Sequence, residues 1–224
     1  MEIVQGLTCC GVKSKSAERG TTPGDSVDVV EAIRTRRARR ALQIKPVEDE
    51  KVEALIEAAR LSASCFNNQP WSLVFVRGEE ALAAIKGAMS KGNNWTSRSP
   101  LIIAVVCREA DDCRLSDRRN YFMFDCGLAI GQIELRATEL GLLAHPIAGY
   151  DPLKVKAVLG IPEEYVVMTL VICGYLGGDE ALLSDKQKGW ERTRPERKPT
   201  GENIFMDKWG SSYPSRPEGS TPSI

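Results

Sequence analysis

The spacing of apolar residues predicts an alternation of helices and buried strands between residues 25 and 175. Apolar positions three or four residues apart predict amphipathic helices, and short apolar runs rich in β-forming residues predict strands. One helix is expected to begin at Asp25 or Ser26, a second to begin near Glu48, and three more to cover residues 79–89, 118–140 and 152–159. The strands are expected at residues 72–76, 101–107 and 165–175. This order indicates a protein that mixes α and β structure.

The same pattern predicts which helix faces are buried and where the chain turns. The first helix is expected to bury Val29, Val30 and Ile33, and the second to bury Val52, Leu55, Ile56 and Ala59. Gly141 is expected to take the left-handed conformation after the long helix, and Gly160 to end the next helix. Residues 144–150 are expected to form a tight loop.

The two ends of the chain differ from the middle. Residues 1–24 contain several glycines without sustained periodicity and are predicted to be a flexible N-terminal arm, and residues 209–224 a C-terminal tail. The proline-rich segment after Gly177 still carries large apolar residues: Trp190, Ile204, Phe205, Met206 and Trp209. We therefore expect it to wrap its own body or a partner subunit.

Composition removes several classes of function. The chain has 30 basic and 30 acidic residues, so long-range attraction to nucleic acid or membrane has little support. Its longest strongly apolar run is about half the ~18 residues of a membrane span, and no export signal is evident, so a cytoplasmic location is expected. Seven cysteines without a CxxC pair and a single histidine argue against a disulfide framework and against a zinc site.

Three polar segments could carry chemistry. The basic run of residues 34–40 could bind phosphate, with Arg197 and Lys198 converging on the same anion, or it could be a solvated face. The amide-rich residues 64–71 could contact the polar edge of a heterocycle or form a capped turn. In residues 144–150, Gly149 allows close backbone approach to a ligand but is equally suited to a turn.

These motifs, taken together and in order, resemble those of a known protein family. RTRRARRAL, SASCFNNQPWSLVFV, DCGLAIGQIELRATELGLLAHPIAGYD and RPERKP together resemble the FMN-dependent nitroreductase family over residues 27–208. The resemblance implies an FMN-binding domain over residues 25–208 with an α+β, three-layer α/β/α flavoprotein fold around a central mixed, mainly antiparallel sheet. It also implies an intertwined homodimer with two FMN sites at the subunit interface.

Roles for individual residues follow from the same resemblance. It implies that Arg36, Arg37 and Arg40 hold the FMN phosphate and the pyrimidine side of the ring, with Arg197 and Lys198 as a C-terminal phosphate clamp. It implies flavin contacts from the other subunit for Ser64, Cys65 and Asn67, while Gln69 and Trp71 shape their loop. Pro146, Ile147, Ala148 and Gly149 match the segment whose backbone meets flavin N5, and Asn94, with Asn93, matches an amide contact. Asp125 and Gln132 match positions on the long helix, either structural or in contact with flavin.

The expected activity is ping-pong reduction of a nitroaromatic or quinone acceptor by electrons from NAD(P)H. Relatives of the fold also dehalogenate, dehydrogenate or fragment flavin, and a ferredoxin donor is an alternative. A non-catalytic anion or nucleic-acid binder using residues 34–40 is the alternative from another class. Because flavin carries the redox chemistry, no side chain is expected to be essential for catalysis, including Cys65 and His145.

Overall fold

The computed structural model describes residues 28–212. The helices are α1 (Val29–Thr35), α2 (Asp49–Arg60), α3 (Glu79–Lys86), α4 (Tyr121–Glu139), α5 (Pro152–Leu159), α6 (Asp185–Arg192) and α7 (Thr200–Asn203). The strands are β1 (Trp71–Val76), β2 (Leu101–Cys107), β3 (Leu143–Ile147) and β4 (Val166–Gly174). Short 3₁₀ turns cover Cys65–Asn67, Lys91–Arg98 and Glu109–Asp111. The predicted arm of residues 1–24 and residues 213–224 of the predicted tail lie outside the described range.

The four strands form one sheet in the order β1-β2-β4-β3, and each of the three pairings is antiparallel. The central strand β2 is buried along its whole length, so successive side chains enter two different cores. Ile102, Ala104 and Val106 join the core beside α3 and α5, whereas Ile103, Val105 and Cys107 join the core beside α2 and α4. Helices therefore cover both faces of the sheet, as the predicted three-layer arrangement requires.

Local sequence signals fix the helix ends. The Asp28 carboxylate accepts from the Glu31 amide at 2.8 Å and begins α1. Asp151 caps α5, Pro152 occupies its first turn, and Gly160 ends it at φ 64°. The left-handed conformation of Gly141 after α4, at φ 72°, is confirmed.

The structure corrects four expectations. The first part of the expected loop, residues 144–147, belongs to edge strand β3, and no parallel pairing occurs among residues 28–212, so the mixed sheet is not seen there. In the second helix Ile56 is 39 % exposed, while Val52, Leu55 and Ala59 are buried as predicted. In the first helix Val29 and Ile33 are 69 % and 56 % exposed rather than buried in this chain's own core.

The segment after β4 packs on the body of its own chain. Leu183 enters the core, the Gln187 side chain donates to the Gly92 carbonyl at 2.9 Å, and Arg194 donates to the Arg34 and Arg36 carbonyls. Trp209 stays 91 % exposed. Among the described helices, none is both long enough and apolar enough to traverse a bilayer.

Candidate functional site

Arginines from two distant parts of the chain surround one cavity, which we call the arginine cleft. It has a volume of about 250 Å³ and lies between the basic run and the segment after α6. Its lining consists of Arg36, Arg37, Ala38, Arg40, Trp190, Arg194, Pro195 and Arg197. Residues about 160 positions apart therefore converge, as the phosphate interpretation of the sequence requires.

Hydrogen bonds from the body hold the basic run in this position. The Arg36 guanidinium pairs with Glu134 of α4 at 3.1 Å, and Arg37 donates to the Trp190 carbonyl at 2.7 Å. The buried Glu191 carboxylate accepts from Arg39 Nε at 3.0 Å and from the Arg40 amide at 2.6 Å. The run is thus an ordered part of the fold rather than a solvated charged face.

Positive charge is in excess around the cleft. Within residues 28–212, Arg37, Arg40, Arg194 and Arg197 form no salt bridge with a carboxylate. Burial lowers the pKa of Arg194, and the neighbouring Arg36, Arg197 and Arg37 lower it further. Like charges held this close favour an anion between them, and the planar guanidinium suits phosphate. Arg194 was missed by the sequence reasoning because it is one of several scattered arginines in a proline-rich segment.

Trp95 connects the cleft to the Gly149 segment. The Arg40 guanidinium lies 5.9 Å from the centre of the Trp95 ring, which stacks on His145 with centroids 5.1 Å apart. Trp95 Nε1 donates to Asn93 Oδ1 at 3.2 Å, and Asn93 Nδ2 donates to the Gly149 carbonyl at 2.8 Å. A continuous set of packed side chains therefore joins these two predicted parts of the site.

His145 is a buried, neutral member of this set. Burial lowers its pKa to about 4, and the nearby charges of Arg40 and Arg36 act in the same direction. Its Nδ1 lies 2.9 Å from the Arg39 carbonyl, so Nδ1 carries the proton and donates. His145 thus holds the basic run against β3, which fits the expectation that it is not a catalytic acid.

Gly149 is a position where a side chain would not fit. A Cβ there would lie 2.4 Å from Asn93 Nδ2, and the Gly149 carbonyl also accepts from the Ser90 amide at 3.0 Å. Pro146 and Ile147 belong to β3, and Ile147 is buried in the core, so only backbone groups of Ile147 could face a ligand. Ala148, by contrast, is exposed.

Residues 64–69 form a tightly turned loop, which we call the amide loop. Phe66, Asn67 and Gln69 have positive φ angles of 48°, 59° and 50°. The Gln69 amide donates to Ser64 Oγ at 3.0 Å, and the Cys65 amide donates to Asp125 of α4 at 2.7 Å. Left-handed non-glycine residues are costly and concentrate at functional sites.

The amide loop and the arginine cleft lie at opposite edges of the sheet. The loop leads directly into β1, whereas the Gly149 segment follows β3, and the basic run contacts β3 through the hydrogen bond between His145 and the Arg39 carbonyl. Three strand spacings separate β1 from β3, which amounts to about 14 Å. One chain therefore brings together two of the three predicted segments and keeps the third apart.

Several predicted residues have other surroundings than expected. Lys198 is exposed and does not line the cleft, although its neighbour Arg197 does. Asn94 is exposed, while Asn93 is the amide that contacts Gly149. Asp125 is buried and bonds the amide loop, and Gln132 is exposed on α4 beside Ala58 and Leu135.

Comparison with known proteins gives the family. The model of the Nitroreductase family matches residues 33–175, which is more than half of the chain. The chain belongs to the nitroreductase family. An Archaeoglobus fulgidus protein named as a candidate NADH dehydrogenase/NAD(P)H nitroreductase is 31 % identical over 188 residues, covering 81 % of this chain and 99 % of that protein. The 5,6-dimethylbenzimidazole synthase of Rhodospirillum rubrum is 25 % identical over 187 residues, covering 71 % and 87 %.

Solved structures share the fold of this nitroreductase-family chain. An FMN-dependent nitroreductase from Clostridium difficile R20291 superposes with a TM-score of 0.58 at 21 % identity, covering 75 % of this chain and 99 % of that one. Membership of the family makes the chain a nitroreductase-family oxidoreductase, and the Clostridium difficile protein with the same fold is named as FMN-dependent. The arginine cleft fits this group, because FMN ends in a phosphate and the cleft has unpaired guanidinium groups to receive it.

Proposed function

We propose that this protein is a homodimeric, NAD(P)H-dependent FMN reductase of ping-pong type, acting on nitroaromatic or quinone-type acceptors. The observation that carries the proposal is the arginine cleft, with its excess of guanidinium groups joined through Trp95 to the Gly149 segment. The arginines at one end of this site suit the phosphate of FMN, and the backbone of the Gly149 segment at the other end allows close approach of its ring.

Each part of the site has a separate task in this proposal. Arg36, Arg37, Arg40 and Arg197 bind the phosphate and the pyrimidine side, with Arg194 added from the structure and Lys198 outside the lining. The backbone of Ala148 and Gly149 faces the redox-active part of the ring, with Pro146 and Ile147 orienting it and Asn94 nearby. FMN held by these residues would supply the hydride- and electron-transfer chemistry between the donor and the acceptor.

The amide loop completes the neighbour's site in this proposal. Ser64, Cys65, Asn67 and Gln69 lie on the β1 side of the sheet, three strand spacings from the β3 side on which the arginine cleft of the same chain lies. A second subunit removes this difficulty, because its amide loop can approach the cleft of the first. The strained backbone of the loop then has a functional reason.

Exposed apolar helix faces support the dimer. Phe124 and Leu128 of α4 are 55 % and 38 % exposed, and Gly127 and Gly131 add no side chain to the same helix. Val29 and Ile33 of α1, which packs beside α4, are also exposed. Their burial against a second copy would explain why the sequence pattern predicts them to be inward.

His145 is buried and neutral, so in this proposal the choice of acceptor depends on the shape of the site and on access to it. Dehalogenation, dehydrogenation or a ferredoxin donor are alternatives within the same site. The nucleic-acid alternative has less support, because the chain carries no net charge and the basic run of residues 34–40 contains no aromatic residue to stack on bases.

The proposal is tested by anaerobic titration of the purified flavoprotein with NADH, NADPH and reduced ferredoxin, followed by an acceptor screen. We expect stoichiometric flavin reduction by a nicotinamide donor and reoxidation by a nitroaromatic or quinone, with parallel lines in double-reciprocal plots. Mass measurement in solution should give a dimer with two FMN. A flavin-loaded monomer, or reduction by ferredoxin alone, would contradict the proposal.

A further inference from the structure

Two thiols and a carboxylate from distant segments converge beside the amide loop. Cys65 belongs to the loop, and Asp112 and Cys113 follow the 3₁₀ turn after β2. The Sγ atoms of Cys65 and Cys113 and a carboxylate oxygen of Asp112 lie within 4.8 Å of one another. The chain carries these residues nearly 50 positions apart and without a CxxC motif, so sequence spacing gives no indication of the cluster.

Asp112 supplies a second observation that indicates a ligand. Its side chain is 9 % exposed, and its Oδ2 is a buried acceptor for which residues 28–212 provide no hydrogen-bond donor. Buried carboxylate oxygens without a partner are costly. The other oxygen, Oδ1, accepts from Asn68 Nδ2 at 3.2 Å, so the carboxylate is already oriented by one partner.

We propose that Cys65, Asp112 and Cys113 bind a divalent thiophilic metal ion of the Zn²⁺ class. Thiolate ligands favour such ions, and three protein ligands leave a fourth tetrahedral position for water. Zinc–sulfur distances of about 2.3 Å put tetrahedral ligands about 3.7 Å apart, so the three atoms need to approach by at most about 1 Å.

The surroundings of the cluster suit such a site. Asn68 orients the Asp112 carboxylate, and Asp125 of α4 accepts from the backbone amide of Cys65, so two of the three ligands have supporting hydrogen bonds. Cys65 and Cys113 are partly exposed, which gives an ion a path from solvent. The ion would link the amide loop to the segment after β2, independently of whether FMN binds as proposed above.

The test is metal binding by the full-length, FMN-loaded protein, reduced, chelator-treated and kept anaerobic. We expect one Zn²⁺ per chain by elemental analysis, and Co²⁺ should give the charge-transfer band of a cobalt–thiolate bond. Cys113→Ser should abolish that band and weaken Zn²⁺ binding at least about a hundredfold, and Asp112→Asn at least about tenfold. Retained flavin absorbance shows that each variant is folded.

Matched controls locate the ion. Asp111→Asn removes the adjacent carboxylate, which pairs with Arg108 instead of joining the cluster, and should leave Zn²⁺ affinity unchanged. A Cys9→Ser, Cys10→Ser variant removes the two thiols outside the described residues and should also bind one Zn²⁺ per chain. Loss of binding in that variant, or wild-type binding in Cys113→Ser, would overturn the proposal.

Alkylation of the cysteines in the wild-type protein also tests the metal site. Zn²⁺ should slow alkylation of Cys65 and Cys113 at least about tenfold, read by peptide mass spectrometry, and leave Cys9 and Cys10 reacting at the metal-free rate. Equal alkylation rates with and without Zn²⁺ would overturn the site. A Cys65–Cys113 disulfide in freshly isolated, metal-free protein would overturn it as well, because the pair would then be a redox couple.

Discussion

The arginine cleft and the amide loop lie at opposite edges of one sheet and are held in place by different forces. The cleft depends on long-range charge pairs, in which Glu134 and Glu191 fix arginines from the other end of the chain. The loop depends mainly on its own backbone geometry, with three left-handed residues and a hydrogen bond to Ser64, and on one distant carboxylate, Asp125 of α4. Each region resembles half of a binding site, and a complete site needs both.

Because of this difference, different substitutions destabilise the two regions. Removing one buried carboxylate destabilises the arginine cleft, because the arginines that remain repel each other or lose hydrogen bonds. A locally stabilised turn tolerates single polar changes better, because neighbouring residues keep most of its hydrogen bonds.

The largest effect is expected from Glu191, the buried carboxylate under the cleft. Glu191→Ala removes the acceptor for Arg39 Nε and the Arg40 amide, and should lower the free energy of unfolding by about 3 kcal/mol. Asp125→Asn, which keeps an oxygen acceptor for the Cys65 amide, should cost about 1 kcal/mol or less. Urea unfolding measures both values, with exposed Glu196→Ala as the control. Equal losses in the two variants would contradict the contrast between the regions.

The next effect is a pH dependence of stability that arises from His145 on the cleft side. The folded-state pKa of His145 is lowered to about 4 from an ordinary 6.5, so the unfolded chain binds the extra proton between these values. The contribution of His145 is therefore fully present well above pH 6.5 and is lost as the pH drops towards 4, by about 2.5 kcal/mol at pH 4.5.

His145→Gln isolates this effect because the chain has no other histidine. Glu134 and Asp125, whose pKa values are raised by burial, act in the opposite direction in both proteins and cancel in the comparison. Thermal unfolding between pH 7 and 4.5 should show a steeper loss in the wild type than in the variant. Parallel pH profiles would show that His145 is charged in the folded state.

Neighbouring basic residues separate the lining of the cleft from its surroundings. Arg197→Ala should weaken FMN binding at least about tenfold, since a charge-assisted contact is worth about 1.5–3 kcal/mol. Lys198→Ala, one position further, should change the FMN dissociation constant by less than about threefold because Lys198 does not line the cleft. Fluorescence titration of the apoprotein decides. A larger loss for Lys198 would move the phosphate position out of the cleft.

The smallest effect is expected in the amide loop itself. Cys65→Ser should keep FMN bound and hold turnover within about tenfold, a barrier change of about 1.4 kcal/mol, because the cofactor supplies the redox chemistry. Stopped-flow traces of the two half-reactions measure this. A thousandfold loss confined to reoxidation by the acceptor would make the Cys65 thiol a chemical participant.

Sequence patterns predict the parts of this molecule that depend on local periodicity. The strand at residues 101–107 and the helix through Leu159 are confirmed because burial and capping signals are local in sequence. Strand β3 was missed since His145 and Pro146 interrupt its apolar pattern, and an edge strand tolerates both residues.

The site was predictable in its motifs but not in its assembly. The structure brings Arg36, Arg37, Arg40 and Arg197 to one cleft but leaves the predicted Lys198 outside its lining. Arg194 and the contacts of Glu134, Glu191 and Trp95 depend on distant segments that meet in the fold. No periodicity encodes such contacts. The same reason explains why the cluster of Cys65, Asp112 and Cys113 emerges only in three dimensions.

The central claim is that one flavin uses the arginine cleft of one chain and the amide loop of another. The most direct test is a purified heterodimer of two differently tagged chains, one carrying Arg36→Ala and Arg197→Ala, the other carrying Asn67→Asp. Each homodimer should bind FMN weakly. If the halves come from different chains, the heterodimer has one intact site and should bind about one FMN per dimer with wild-type affinity. If both halves belong to one chain, every site in the heterodimer keeps a defect, and the absence of a tight site would contradict the account.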